Sequence, residues 1–125
     1  MVDLPDFDTP ALVRAVEALP AGAIDDLPFG AVRLAADGRV TAFSKAEARL
    51  SGFGSRPTVG KIYFTDIAPC FSTPDFLGRI ERARAAGTVD IEFGVLGDFD
   101  AAAKELRVRV QSASDGGLWI FIRRL

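Results

Sequence analysis

The spacing of apolar residues changes period along the chain, and each change marks an element. Leu12, Val13, Val16 and Leu19 recur at helical intervals behind Thr9, which can cap, and Pro10, which suits a first helical position. Pro20 ends that helix, and a second short turn is expected over Ala23 to Leu27 before Pro28 breaks it. From Ala31 the pattern is extended. Val32 and Leu34, then Val40 and Ala42, flank Asp37-Gly38, a dipeptide suited to the positive dihedrals of a hairpin turn. Ser44 and Glu47 have the spacing of a capping box, so a short helix is expected from Lys45. Gly52, Gly54 and Pro57 then punctuate loops as far as Gly60.

A longer helix is expected from Pro74 to Ala86, with Phe76, Leu77, Ile80 and Ala83 on one face, Thr73 as its cap and Gly87 just past its end. Val89, Ile91, Phe93 and Val95 alternate with Asp90, Glu92 and Gly94, and Leu106, Val108 and Val110 alternate with charged or polar neighbours. Leu118 to Ile122 is apolar on both faces, as a central strand is, and Asp115-Gly116-Gly117 turns the chain into it. A hairpin, small helices, one longer helix and three meandering strands predict an α+β fold. It is a five-stranded antiparallel sheet with helices on one face, the arrangement of a PAS domain. Residues 1–28 are expected to form an N-terminal helical cap or lid, and residues 29–125 the core.

With 125 residues and 49% hydrophobic content, the chain can bury a core without a metal or a disulfide. Its 15 basic and 17 acidic side chains are intermixed, with a net charge of −2 and no basic stripe, so nucleic acid is not an expected partner. No apolar run approaches a membrane span, and the start at Met1 is acidic where a signal peptide is basic; a cytoplasmic protein off the membrane is expected. Leu4 and Phe7 suit either a lid or a dimer contact, hence a monomer or weak dimer. The absence of histidine removes Ser-His and Cys-His pairs, the usual metal sets and a haem ligand, and no glycine-rich phosphate loop occurs, so an enzyme is not expected.

Cys70 is the single cysteine, which excludes an internal disulfide and a Cys-x-x-Cys pair. Two readings remain: an inert buried thiol, or one covalent attachment point. Pro69 stiffens the approach to it, and Ser72 to Asp75 read as a helix start, whose positive field would lower the thiol's pKa and favour nucleophilic attack.

The chain resembles the photoactive yellow protein family. The resemblance rests on Leu27-Pro28-Phe29-Gly30-Ala31, Asp37-Gly38, Glu47, Ser51-Gly52, the run from Gly60 through Asp66-Ile67-Ala68-Pro69-Cys70, Ser72 to Phe76, and Trp119-Ile120-Phe121-Ile122. It implies a blue-light photoreceptor and signalling protein that carries p-coumaric (4-hydroxycinnamic) acid as a thioester on Cys70. The chromophore would undergo trans/cis photoisomerisation with proton transfer, and a conformational signalling state would be read by a downstream protein. Glu47 matches the family's glutamate, a hydrogen bond and proton donor to the phenolate; its other reading is the capping box with Ser44. Once deprotonated it would be a bare buried carboxylate, costly enough to loosen the domain. Ser51 falls at a threonine of the same network, or is an ordinary helix-end polar residue.

Three positions depart from the family. Phe43 stands where a tyrosine gives the second hydrogen bond, and is equally a strand-end core aromatic. Phe53 stands where an arginine shields the pocket. Ala101 falls near a methionine that assists chromophore return. Val32, Tyr63, Ile67, Ala68, Pro69 and Phe99 complete the expected chromophore contacts, with Val95 and Gly97 facing the same region. The alternative function is a PAS-type interaction domain without a functional chromophore.

Overall fold

The computed structural model describes residues 3–98 and 103–125. In chain order it contains α1 (Leu12–Glu17), a 3-10 turn (Ala23–Asp26), β1 (Gly30–Leu34), β2 (Val40–Phe43) and α2 (Lys45–Leu50). A π-turn (Tyr63–Ile67), a second 3-10 turn (Pro69–Phe71), α3 (Leu77–Ala85), β3 (Asp90–Asp98), β4 (Ala103–Ser112) and β5 (Leu118–Arg124) follow. The strands form one antiparallel sheet in the order β2-β1-β5-β4-β3, so the doubly apolar β5 is central, as its sequence pattern requires. Gly38 and Gly116 have φ of 90° in the turns, a backbone that L side chains rarely adopt.

Several boundaries differ from expectation. The longer helix begins at Leu77, not Pro74, because Thr73 accepts from the backbone of Phe76 and Gly78 in a preceding turn. The first helix is confined to Leu12–Glu17, and its Ala11 cap is left-handed at φ 50°, so Thr9 does not cap it.

Alternation along the strands divides the core in two. Val32, Leu34, Val108, Val110, Ile120 and Ile122 point to one face and pack with Tyr63, Phe71, Phe76, Ile80 and Phe93. Ala31, Trp119 and Phe121 point to the other and pack with Phe7, Leu12, Val16, Leu27 and Phe29. The N-terminal segment therefore covers the sheet face opposite the Cys70 turn. The sequence suggested a helical lid without saying which face it covers, and the structure places it as a back plate.

Polar side chains rising from that back face hold the plate. Buried Arg109 donates to the carbonyls of Phe7 at 2.7 Å and Thr9 at 2.8 Å, and Gln111 accepts from the Val13 amide at 2.8 Å. Trp119 Nε1 donates to Glu17 at 3.1 Å, and Glu17 also pairs with Arg33. No helix among the described residues is long and apolar enough to cross a membrane.

Candidate functional site

The site is assembled where β2 runs into α2. Ser44 caps α2 in an extended conformation, and its Oγ accepts from the Glu47 amide at 3.2 Å and from the Ala31 amide at 3.0 Å. The Ser44 amide donates to the Ala31 carbonyl, so the return bond of a full capping box has no donor left. Only half of the box forms, and the Glu47 side chain turns inward, where 2% of the residue is exposed. It crosses directly over Gly30; a Cβ there would overlap Glu47 Oε1.

The inward carboxylate meets a residue that sequence reasoning missed. Arg124 Nη1 donates to Glu47 Oε1 at 2.9 Å and Nη2 to Oε2 at 3.1 Å, a bidentate pair with side chains 9% and 3% exposed. The available signal was β5 itself, since the alternation that sends Ile120 and Ile122 to the Cys70 face sends Arg124 there too. Burial pushes the Glu47 carboxyl above its usual range, while the hydrogen bond and charge of Arg124 pull it partly back. The carboxylate is thus not bare, as the sequence-based expectation had it.

Glu47, Phe43, Ser51, Phe53, Tyr63, Ile67, Ala68, Pro69 and Cys70 line one cavity of about 290 Å³, together with Arg56, Asp66 and Phe71. Val32 is elsewhere: it lies fully buried in the core against β5 and does not reach the cavity lining. Phe99 and Ala101 lie outside the described residues. Val95 faces an open groove that shares only Cys70 and Phe71 with the cavity.

Phe53 has a local role in the cavity wall. Phe53 packs on Phe43 with ring centroids 6.2 Å apart, and the guanidinium of Arg56 lies 4.0 Å above the Phe53 ring. Arg56 also donates to the Phe53 carbonyl at 2.9 Å, so an arginine three residues past Phe53 lines the cavity, held on that aromatic ring. Tyr63 is 1% exposed, and its hydroxyl is buried with no hydrogen-bond partner among the described residues.

Cys70 lies in the 3-10 turn Pro69–Phe71 and is exposed, which removes the reading as an inert buried thiol. Its pKa departs from expectation in sign. Partial burial pushes the thiol up, more than the hydrogen bonds from its own amide and that of Phe71 pull it down. The expected lowering fails because α3 starts only at Leu77, so the thiol does not sit at that helix's N-terminus.

The cavity is at the small end of the roughly 300–1,000 Å³ of small-molecule sites, a size for a single ring with a short chain. Its lining has an exposed sulfur, aromatic walls, a buried carboxyl and a buried hydroxyl without a hydrogen-bond partner among the described residues.

The PAS fold family matches residues 18–125. Over 103 residues the chain is 36% identical to the photoactive yellow protein of Rhodothalassium salexigens, covering 82% of each chain. It is 29% identical over 119 residues to that of Rhodobacter capsulatus, covering 94% of this chain and 95% of the relative. Among solved structures, the photoactive yellow protein domain of the sensor histidine kinase Ppr from Rhodospirillum centenum superposes with a TM-score of 0.80 at 31% identity, covering 89% of this chain and 98% of that domain.

Proposed function

The chain belongs to the photoactive yellow protein family of PAS-fold photoreceptor domains, and from that premise we propose that it senses blue light through p-coumaric acid held as a thioester on Cys70. The observation that carries this reading is the cavity itself, in which an accessible thiol, a buried carboxyl and aromatic walls converge.

Attachment requires an activated p-coumaroyl donor, such as a thioester or mixed anhydride. Cys70 loses its proton to solvent, its Sγ forms a bond to the acyl carbon, and the donor's leaving group departs with the bonding pair. Because the thiol's pKa is raised, the thiolate is scarce at neutral pH and attachment accelerates as pH rises. When bound, the group supplies blue absorption, isomerisation and a phenol whose basicity changes with light.

The protein's own residues set the charge balance. A phenolate placed against Glu47 would put two anions in one buried site, which is unfavourable, so Glu47 holds its proton and donates it as a hydrogen bond. Arg124, released from a carboxylate, remains as the compensating cation. After light, Glu47 gives up that proton and its carboxylate is again met by Arg124, at a cost smaller than that of an unpaired buried charge. Rearrangement of this pair at the end of β5 would be passed to a downstream signalling protein. A histidine kinase is the natural class, since the Rhodospirillum centenum relative is a domain of one.

The test is spectral. The purified protein, given p-coumaric anhydride, should acquire a visible band that bleaches under blue light and recovers in the dark, while Cys70→Ala should not. An equal band in Cys70→Ala, or a band without bleaching, would refute the reading.

A further inference from the structure

Tyr63 is the buried polar group that the reading above leaves unused. Its side chain is 1% exposed, yet its hydroxyl has no hydrogen-bond partner among the described residues. A tyrosine kept only to fill space would do as well as phenylalanine, because the ring packs the core and the oxygen adds only a desolvation cost. The oxygen therefore asks for a partner that arrives later. Tyr63 lines the same cavity as Cys70, Glu47 and Phe43. In that cavity Phe43 cannot donate, while Glu47, protonated in the reading above, supplies one donor.

We propose that Tyr63, from the π-turn, donates the hydrogen bond to the phenolate oxygen of the Cys70-bound aromatic acid that Phe43 cannot supply. The inference rests on the p-coumarate reading. The donor has moved from the end of β2 to the turn that precedes Cys70, so the pocket keeps two proton-bearing groups, Glu47 and Tyr63, on different elements. The other charged groups around the site are Arg124 behind Glu47, with Arg56 and Asp66 on the cavity wall. In the ligand-free protein burial first, then the negative charge of Glu47, raises the Tyr63 pKa well above its usual value, and Arg124 offsets this only in part; with ligand bound, burial remains. The hydroxyl therefore keeps its proton. A conjugated phenol is the more acidic partner, so the shared proton stays on Tyr63 and the negative charge on the ligand.

Two readouts test this. Absorbance titration of the p-coumaroyl adduct gives the phenol pKa. Tyr63→Phe should raise it by about one to two pH units, a ten- to hundredfold loss of phenolate stabilisation. Adding Phe43→Tyr to that variant should recover most of the shift. Without any ligand, Tyr63→Phe should melt at the same temperature as wild type or higher, since it removes an unpartnered hydroxyl. An adduct whose pKa does not move, or a ligand-free variant that melts lower, overturns the inference and leaves the p-coumarate reading standing. Failure of the wild type to take up p-coumaroyl anhydride overturns both.

Discussion

The Glu47–Arg124 pair makes an asymmetric prediction about the ligand-free protein. Both carboxylate oxygens are bonded and both side chains are nearly inaccessible, so removing either partner leaves a buried group without its counter-ion. Such losses cost about 3–5 kcal/mol. The two variants differ in whether the survivor can escape. In Arg124→Met, Glu47 can take a proton. With an unfolded-state pKa near 4.3, neutralising it at pH 7 costs about 3.7 kcal/mol, from roughly 1.36 kcal/mol per unit over about 2.7 units.

That cost disappears as pH falls. Glu47's folded pKa is already raised and rises further without Arg124. Its contribution to stability is therefore fully present below the unfolded carboxylate pKa and is lost as pH rises through the folded one. In Glu47→Met the guanidinium cannot deprotonate and the variant has no such relief; because wild type keeps the raised Glu47 pKa, this penalty should grow, not shrink, as pH falls from 7.5 to 4.5. Replacing both with methionine should restore most of the stability. Urea denaturation of the three variants and wild type across this range is the assay. An Arg124→Met penalty as large at pH 4.5 as at pH 7.5 would refute the reasoning.

Gly30→Ala should cost about 1–3 kcal/mol and displace the Glu47 carboxyl, because the new methyl overlaps Oε1; thermal melts and the position of the adduct's visible band would report it. Arg109→Met should loosen the N-terminal plate by removing donors to Phe7 and Thr9, costing about 1–3 kcal/mol; limited proteolysis should then cut within residues 1–28 faster than in wild type. Phe43→Tyr in the otherwise native chain should lower the phenol pKa of the adduct and reduce any shorter-wavelength band, read by pH titration.

Much of the fold was legible because its signals are local. The Asp37-Gly38 turn, the alternation of β3 and β4 and the doubly apolar β5 each express one backbone period, and the sheet follows. The side of the sheet that the N-terminal segment covers was not legible. It is decided by Arg109, Gln111 and Trp119, whose partners lie about 100 positions away in sequence. The candidate site divides the same way. Cys70 and Glu47 stand out by type and resemblance, and the half-formed cap that frees Glu47 depends on Ser44 spending its amide on Ala31. Arg124 and the unpartnered hydroxyl of Tyr63 are properties of the assembled pocket, and no spacing rule announces them. The thiol's pKa went the other way for a related reason: proximity in sequence to Ser72 and Pro74 did not become proximity to a helix terminus.

The most direct test of the central claim is intact-mass and peptide mapping of the purified protein after exposure to p-coumaric anhydride, before and after hydroxylamine. The account predicts one p-coumaroyl group on the peptide containing Cys70, released by hydroxylamine as a thioester should be and absent from Cys70→Ala. Acylation confined to lysines, or equal in Cys70→Ala, would contradict it.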